Sequence, residues 1–137
     1  CILHWPKGLE GSEGRRITAM TQHEDLLSTV LDAMDLPIPH DAVDGETLLP
    51  LARGDDQGTS HWHHLLMACE CTWQAKWAMR TPEYKLIVSR EPDFHDKPPV
   101  ELYDLLEDPA EQQNIALSER MLCQRHIQHT DILRAWR

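Results

Sequence analysis

The sequence predicts an α+β protein: an amphipathic helix, then a small antiparallel sheet of about four strands, packed by a C-terminal helix. Three observations carry this. Thr21-Gln22-His23-Glu24 has the form of a capping box, and Leu27, Val30, Leu31 and Met34 follow it at helical spacing. Between residues 64 and 105 lie four short runs of strand-forming residues, separated by turn-forming segments. From Ser118 to Trp136 the spacing is helical again, with Leu122, His126 and Ile132 or Leu133 able to face a sheet.

Taken in order, Cys1-Ile2-Leu3-His4-Trp5-Pro6 reads as the end of a buried strand whose neighbours lie elsewhere. Lys7 to Arg16 is Gly-rich and charged, hence a loop. The first helix is expected over residues 22 to 35 and is stopped by Pro37 and Pro39. Asp44-Gly45 makes a turn, Thr47 to Arg53 a short helix closed by Gly54, and Gly54 to Ser60 a polar loop. Strands are expected at His64–Cys71, Trp77–Arg80, Glu83–Ser89 and Val100–Leu105, with the Pro-rich "REPDFHDKPP" connecting the last two. Alternation in "ELYDLL" sets Tyr103 and Leu105 on the inward face. Asp108 then suits a helix N-cap, with Pro109 at the first helical position and Glu111 three residues after the cap. Asn114 is positioned by that turn to bond the backbone.

Composition narrows the function. A chain of 137 residues suits one compact unit with a modest core. The formal net charge of −10 argues against nucleic acid as a partner. No apolar run approaches the ~20 residues of a membrane span. The four cysteines have no zinc-ribbon spacing, and Cys69 and Cys71, on one strand face, are poor disulfide partners; free thiols are expected. His61, His63 and His64 with those cysteines invite a metal reading, but His64 points away from the other two, and polar loop-to-strand residues are the expectation. His23 is expected neutral beside the positive end of the first helix. Tyr84 should pack and Lys85 point outward. Trp62, Trp73 and Trp77 are candidates for stacking on a sugar or aryl group, or for core anchors.

Several pieces, in order, resemble the sulfatase family. They are "TQHEDLLSTVLDAMDLPIPHDAVDGETLLPLARG", "AMRTPEYKLIV", "ELYDLLEDPAEQQNIA", and "LHWP" as the end of a core strand. The resemblance runs from Ile2 to Trp136. It implies an alkaline-phosphatase-like hydrolase of sulfate esters, sometimes sulfamates, whose formylglycine nucleophile is made in a Cys/Ser-x-Pro-x-Arg motif beside a calcium ion. That motif is absent here, and the family's metal ligands lie upstream of the matched part.

The resemblance therefore implies a C-terminal fragment. Residues 1–57 correspond to the end of the catalytic core and residues 58–137 to the C-terminal subdomain. No cofactor is expected in this stretch; calcium and formylglycine belong to the parent enzyme. The expected partners are the N-terminal catalytic core and a sulfated small molecule or sugar. Glu70, Trp73 and Arg80 are the candidate substrate-binding residues, because the subdomain is expected beside the active-site mouth. Arg80 offers a planar, bidentate anion contact, although a structural ion pair between Glu70 and Arg80 is the competing reading. Two other functions fit: the same part of a phosphonate monoester or phosphodiester hydrolase, or a non-catalytic interaction module. Cytoplasm and periplasm both remain open. An orphaned strand and an unpaired helix face should leave the chain self-associating or marginally stable.

Overall fold

The computed structural model describes residues 1–39, 41–55 and 62–135, with side chains in the final helix as far as His129. Its contacts form two units, Cys1–His63 and His64–Arg137.

In the first unit, helix α1 spans Asp25–Ala33 and helix α2 spans Leu49–Arg53. The expected capping box does not form. Glu24 is the N-cap and makes no side-chain cap bond. Asp25, one residue further on, reaches back instead, its Oδ2 accepting from the Gln22 amide at 2.8 Å. This satisfies an amide just before the helix with a carboxylate at its positive end.

The inner face of α1 is its polar one, with Asp25, Ser28 and Thr29 buried. Ser28 Oγ donates to the Gly45 carbonyl at 2.6 Å. Thr29 Oγ1 accepts from the Leu48 amide at 2.9 Å. Thr47 Oγ1 donates to Asp32 at 2.7 Å. These bonds seat the 45–48 segment on the helix so tightly that a Cβ at residue 45 would fall 2.0 Å from the Glu24 carbonyl oxygen, which is why glycine stands there. α2 follows at once, burying Leu49, Leu51 and Ala52, and ends at Gly54 with φ 87°. Leu27, Val30 and Met34, the apolar stripe of α1, are more than half exposed.

The second unit holds strands β1 (Leu66–Cys71), β2 (Ala75–Arg80), β3 (Tyr84–Ser89) and β4 (Val100–Asp104), then helix α3 (Arg120–Ala135). The strands form one antiparallel sheet in sequence order. Register aligns Met67, Met79, Leu86 and Leu102 in a row across one face. Met79, Leu86 and Leu102 are buried there with Ala116 and Cys123, and Leu122 and Ile127 pack against them. Leu122 is thus on the sheet side of α3, as its spacing suggested, and His126 meets Tyr84 edge-on at 5.5 Å. Ile132 and Leu133 lie outside the described side chains.

β4 corrects the alternation reading. Its innermost residue is Leu102, opposite Leu86, while Tyr103 sits on the other face opposite Lys85. Tyr103 is buried all the same, donating to Glu101 at 2.5 Å. Both faces of β4 are covered, so a period of two could not mark one as inside. The 108–113 segment is a turn rather than a helix start. Asp108 Oδ2 accepts from the Gln113 amide at 2.7 Å, and Glu111 takes a φ of 55° and bonds Lys85 at 2.7 Å. Asn114 does bond the backbone, accepting from Leu102 and Ala116 and donating to Val100.

Candidate functional site

Pairing of Cys71 with Ala75 leaves residues 72–74 as the β1–β2 turn. At the same end of the sheet, residues 90–99 connect β3 to β4; Pro92, Pro98 and Pro99 cannot donate to a ladder, so the chain leaves the sheet there. Three contacts fasten the connection to the start of β2. The Arg90 amide donates to the Ala75 carbonyl at 2.8 Å. Glu91 Oε1 accepts from the Ala75 amide at 2.9 Å. The Lys76 ammonium pairs with the Asp93 carboxylate. Asp93 also folds the connection on itself, its Oδ1 accepting from the His95 and Lys97 amides at 2.7 and 3.1 Å. The Lys76 hydrogen bond, aided by those amides, holds the Asp93 carboxyl down at about 2 against an opposing desolvation.

This fastened tip displays two aromatic rings. Trp73 is 90% exposed and Phe94 83% exposed. His95 meets Phe94 edge-on at 5.3 Å. Beside Trp73, Gln74 is only 9% exposed, and its Nε2 has no hydrogen-bond partner. Glu70, the last-but-one residue of β1, is exposed and accepts from Thr72 Oγ1 at 3.3 Å.

Of the three residues singled out in the sequence, Glu70 and Trp73 share this end. Arg80 does not. Glu70 faces Lys76, whereas Arg80 faces Leu66, four positions further along β2 and so roughly 13 Å from Glu70's level. The Glu70–Arg80 ion pair considered above therefore does not form. Arg80 instead stands in register with Lys85 on the same sheet face. Phe94 and His95 were missed because the 90–99 stretch reads as a connection; the usable signal was an aromatic-His pair inside a charged, Pro-rich loop.

The histidines and cysteines do not converge. His61 lies outside the described residues. His63 precedes β1 and bonds the buried Asp25 through Nε2, at 2.9 and 3.1 Å to its two oxygens. Cys69 and Cys71 are exposed and form no disulfide. The Cys71 thiol is pushed up, by desolvation first and then by Cys69 beside it. Among the described residues no three His, Cys, Asp or Glu side chains gather to hold an ion. Calcium prefers six or more oxygen ligands, and the residues here do not fit it.

The family model that matches is the C-terminal region of N-sulphoglucosamine sulphohydrolase, over residues 1–132. The chain belongs to this sulfatase family. An N-acetylglucosamine-6-O-sulfatase of Bacteroides thetaiotaomicron is 26% identical over 120 residues, covering 83% of this chain and 20% of the relative. The mouse (Mus musculus) steryl-sulfatase is 37% identical over 76 residues, 55% of this chain and 12% of that protein. A 2-O GAG sulfatase of known structure superposes with a TM-score of 0.61 at 25% identity, covering 82% of this chain and 23% of that one. This sulfatase C-terminal region thus spans about a fifth or less of its curated relatives' length. No described helix is long and apolar enough to cross a membrane.

Proposed function

We propose that this region works as the C-terminal part of a sulfuric ester hydrolase, lining one side of a substrate cleft whose nucleophile and calcium come from a separate catalytic core. The match to the sulphohydrolase C-terminal family over residues 1–132 carries the reading. Sulfuryl transfer needs an activated nucleophile and a cation on the sulfuryl oxygens. This chain has no Cys/Ser-x-Pro-x-Arg motif to supply the first, so alone it is inactive. Residues 1–57 complete the core and residues 58–137 form the substrate-side subdomain. The exposed stripe of Leu27, Val30 and Met34 on α1 is the surface that such a core would cover.

Glu70 and Trp73 contact substrate at the tip of the sheet, and Arg80 takes an anionic group further along the same strand pair. The relatives are all named for sulfatases, which favours sulfate over the phosphonate and phosphodiester alternatives; two of the names point to a sulfated sugar, the substrate proposed here, and the third to a steryl sulfate.

The test compares the 137-residue chain with the same chain joined to its upstream coding sequence, assayed on an aryl sulfate and on glucosamine 6-sulfate. Turnover only by the longer protein is expected. Turnover by the short chain, or turnover of phosphonate monoesters but not sulfates by the long one, would overturn the reading.

A further inference from the structure

We infer that Cys69 and Cys71, side by side on the exposed end of β1, form a two-sulfur clamp for a soft monovalent metal ion of the copper(I) class. The clamp needs nothing from the catalytic core, so it stands apart from the proposed function.

Residues 67, 69 and 71 alternate onto one face of β1. Met67 lies at the covered end of that face, packed against the core. Cys69 and Cys71 lie beyond it, both exposed and neither in a disulfide. Cys69 stands across from Trp77 and Cys71 from Ala75, so their cross-strand neighbours carry no charge. Glu70, between them, points to the other face, across from Lys76. β1 is an edge strand of the sheet, which leaves the thiols open on the side away from β2.

The spacing suits a metal bridge and not a disulfide. Two positions along a strand separate side-chain origins by about 6.6 Å. A disulfide needs roughly 3.5–4.5 Å between Cβ atoms, so these thiols do not close on each other without distorting the strand. With a metal–sulfur bond of about 2.3 Å, the zinc value, a linear sulfur–metal–sulfur bridge spans roughly 4.6 Å. Side chains on one strand face reach that span by leaning together. The two thiols already interact: after desolvation, the charge of Cys69 and its hydrogen bond help to push the Cys71 thiol up. Two thiolates so placed repel, and a cation between them removes the repulsion.

The ligand count selects the ion. Zinc takes four ligands in a closed site, and among the described residues no third His, Cys, Asp or Glu gathers with the two thiols. Thiolates select soft ions, and copper(I), a closed-shell ion, is satisfied by two collinear sulfurs. Binding exchanges protons for metal. Both thiols release their protons to water, each thiolate forms one bond to the ion, and the bridged site carries a single negative charge. No electrons move.

The experiment uses the chain with Cys1→Ser, which removes the third exposed thiol. Silver(I) serves as the redox-inert probe, and copper(I) is added anaerobically against a coloured chelator. One equivalent of either ion should bind, with thiolate-to-metal absorption in the ultraviolet. Cys69→Ser and Cys71→Ser should each weaken binding about a hundredfold or more, because the second thiolate on the same strand acts at high effective concentration. Cys69→Ser combined with Ala68→Cys keeps the number of thiols but sets them on opposite faces, and should lose as much. Ala68 and both cysteines are exposed, so the melting temperature should not move. Zinc should bind at least a hundredfold more weakly than copper(I). Undiminished affinity in the face-swapped variant overturns the inference, as does zinc binding that matches copper(I). So does a Cys69–Cys71 disulfide formed by the folded chain in a glutathione buffer. Loss of the site when the chain is joined to its upstream coding sequence would show the thiols covered there, and overturns it too.

Discussion

The carboxamide of Asn114 lies against the outer edge of β4, its Oδ1 accepting from the Leu102 amide at 3.0 Å across a gap of 12 residues. β4 is an edge strand, and Leu102 itself has no solvent exposure. Asn114 Nδ2 also donates to the Val100 carbonyl at 3.2 Å, and the Ile115 amide donates to the Leu102 carbonyl at 2.8 Å. Two residues thus do the work of a fifth strand, closing an edge that would otherwise pair with other chains.

Replacing Asn114 with Ala should therefore cost more than an exposed position normally does. It strips the buried Leu102 amide of its acceptor and frees the Val100 carbonyl. A loss of about 2 kcal/mol in urea unfolding is expected, with increased aggregation. Asn114→Asp keeps the Oδ1 acceptor and should lose about half as much. Equal stability of Asn114→Ala and the parent chain would show that water replaces the clamp.

Asp25 plays the corresponding part in the first unit. It is fully buried and accepts from Gln22, from the Glu46 amide at 3.0 Å, and from His63. Asp25→Ala removes the acceptor from all of them and should destabilise by about 3 kcal/mol. Asp25→Asn retains one good acceptor and should cost less. His63→Ala leaves the two amides satisfied and should cost about 1 kcal/mol. Chemical unfolding of the three variants orders them; a His63→Ala loss as large as that of Asp25→Ala would make the imidazole the principal partner.

The same residues show what was legible before the structure. The four strands were visible because each is a run of strand formers bounded by turn residues, and Asn114 because a polar side chain after a tight turn has backbone groups to satisfy. Asp25 was not, because a carboxylate at a helix start reads as an exposed cap, and its burial depends on the Gly45–Leu48 segment folding over it. Tyr103 was misplaced because Glu101 and Tyr103 are both covered, so β4 has no wet face to set the alternation. At the candidate site Trp73 was legible by type alone. Phe94 and His95 needed the Lys76–Asp93 pair to bring them to the same end of the sheet, and long-range ion pairs leave no periodic trace in sequence.

Tyr103 should titrate late. Desolvation first, and then the hydrogen bond and charge of Glu101, push its phenol up to about 12 from an ordinary 10.0. The folded state holds this proton more tightly than the unfolded chain does. Stability from this source is complete below pH 10 and is lost as pH rises through about 12. Ultraviolet titration should show one late phenol, and Glu101→Gln should bring it earlier while desolvation keeps it above the ordinary value. A Glu101→Gln profile identical to the parent would leave desolvation as the only cause.

Asp93 gives the opposite pH dependence, and it bears on the candidate site. Its carboxyl sits at about 2 rather than 3.8, with the Lys76 hydrogen bond as the largest cause. The folded state prefers the ionised form, so this contribution is present above about pH 4 and is lost as pH falls toward 2. Lys76→Met should raise the carboxyl toward or past its ordinary value, because desolvation is then opposed only by the His95 and Lys97 amides. The carboxyl carbon shift of Asp93, followed by NMR through an acid titration, reads this directly. Since the same pair ties the Phe94 loop to the start of β2, Lys76→Met should also loosen that loop, giving faster amide exchange at residues 90–97 while the β3–β4 ladder stays protected. If the carboxyl stays near 2 in Lys76→Met, the two amides hold Asp93 unaided, and the loop is shaped by its own backbone rather than by the ion pair.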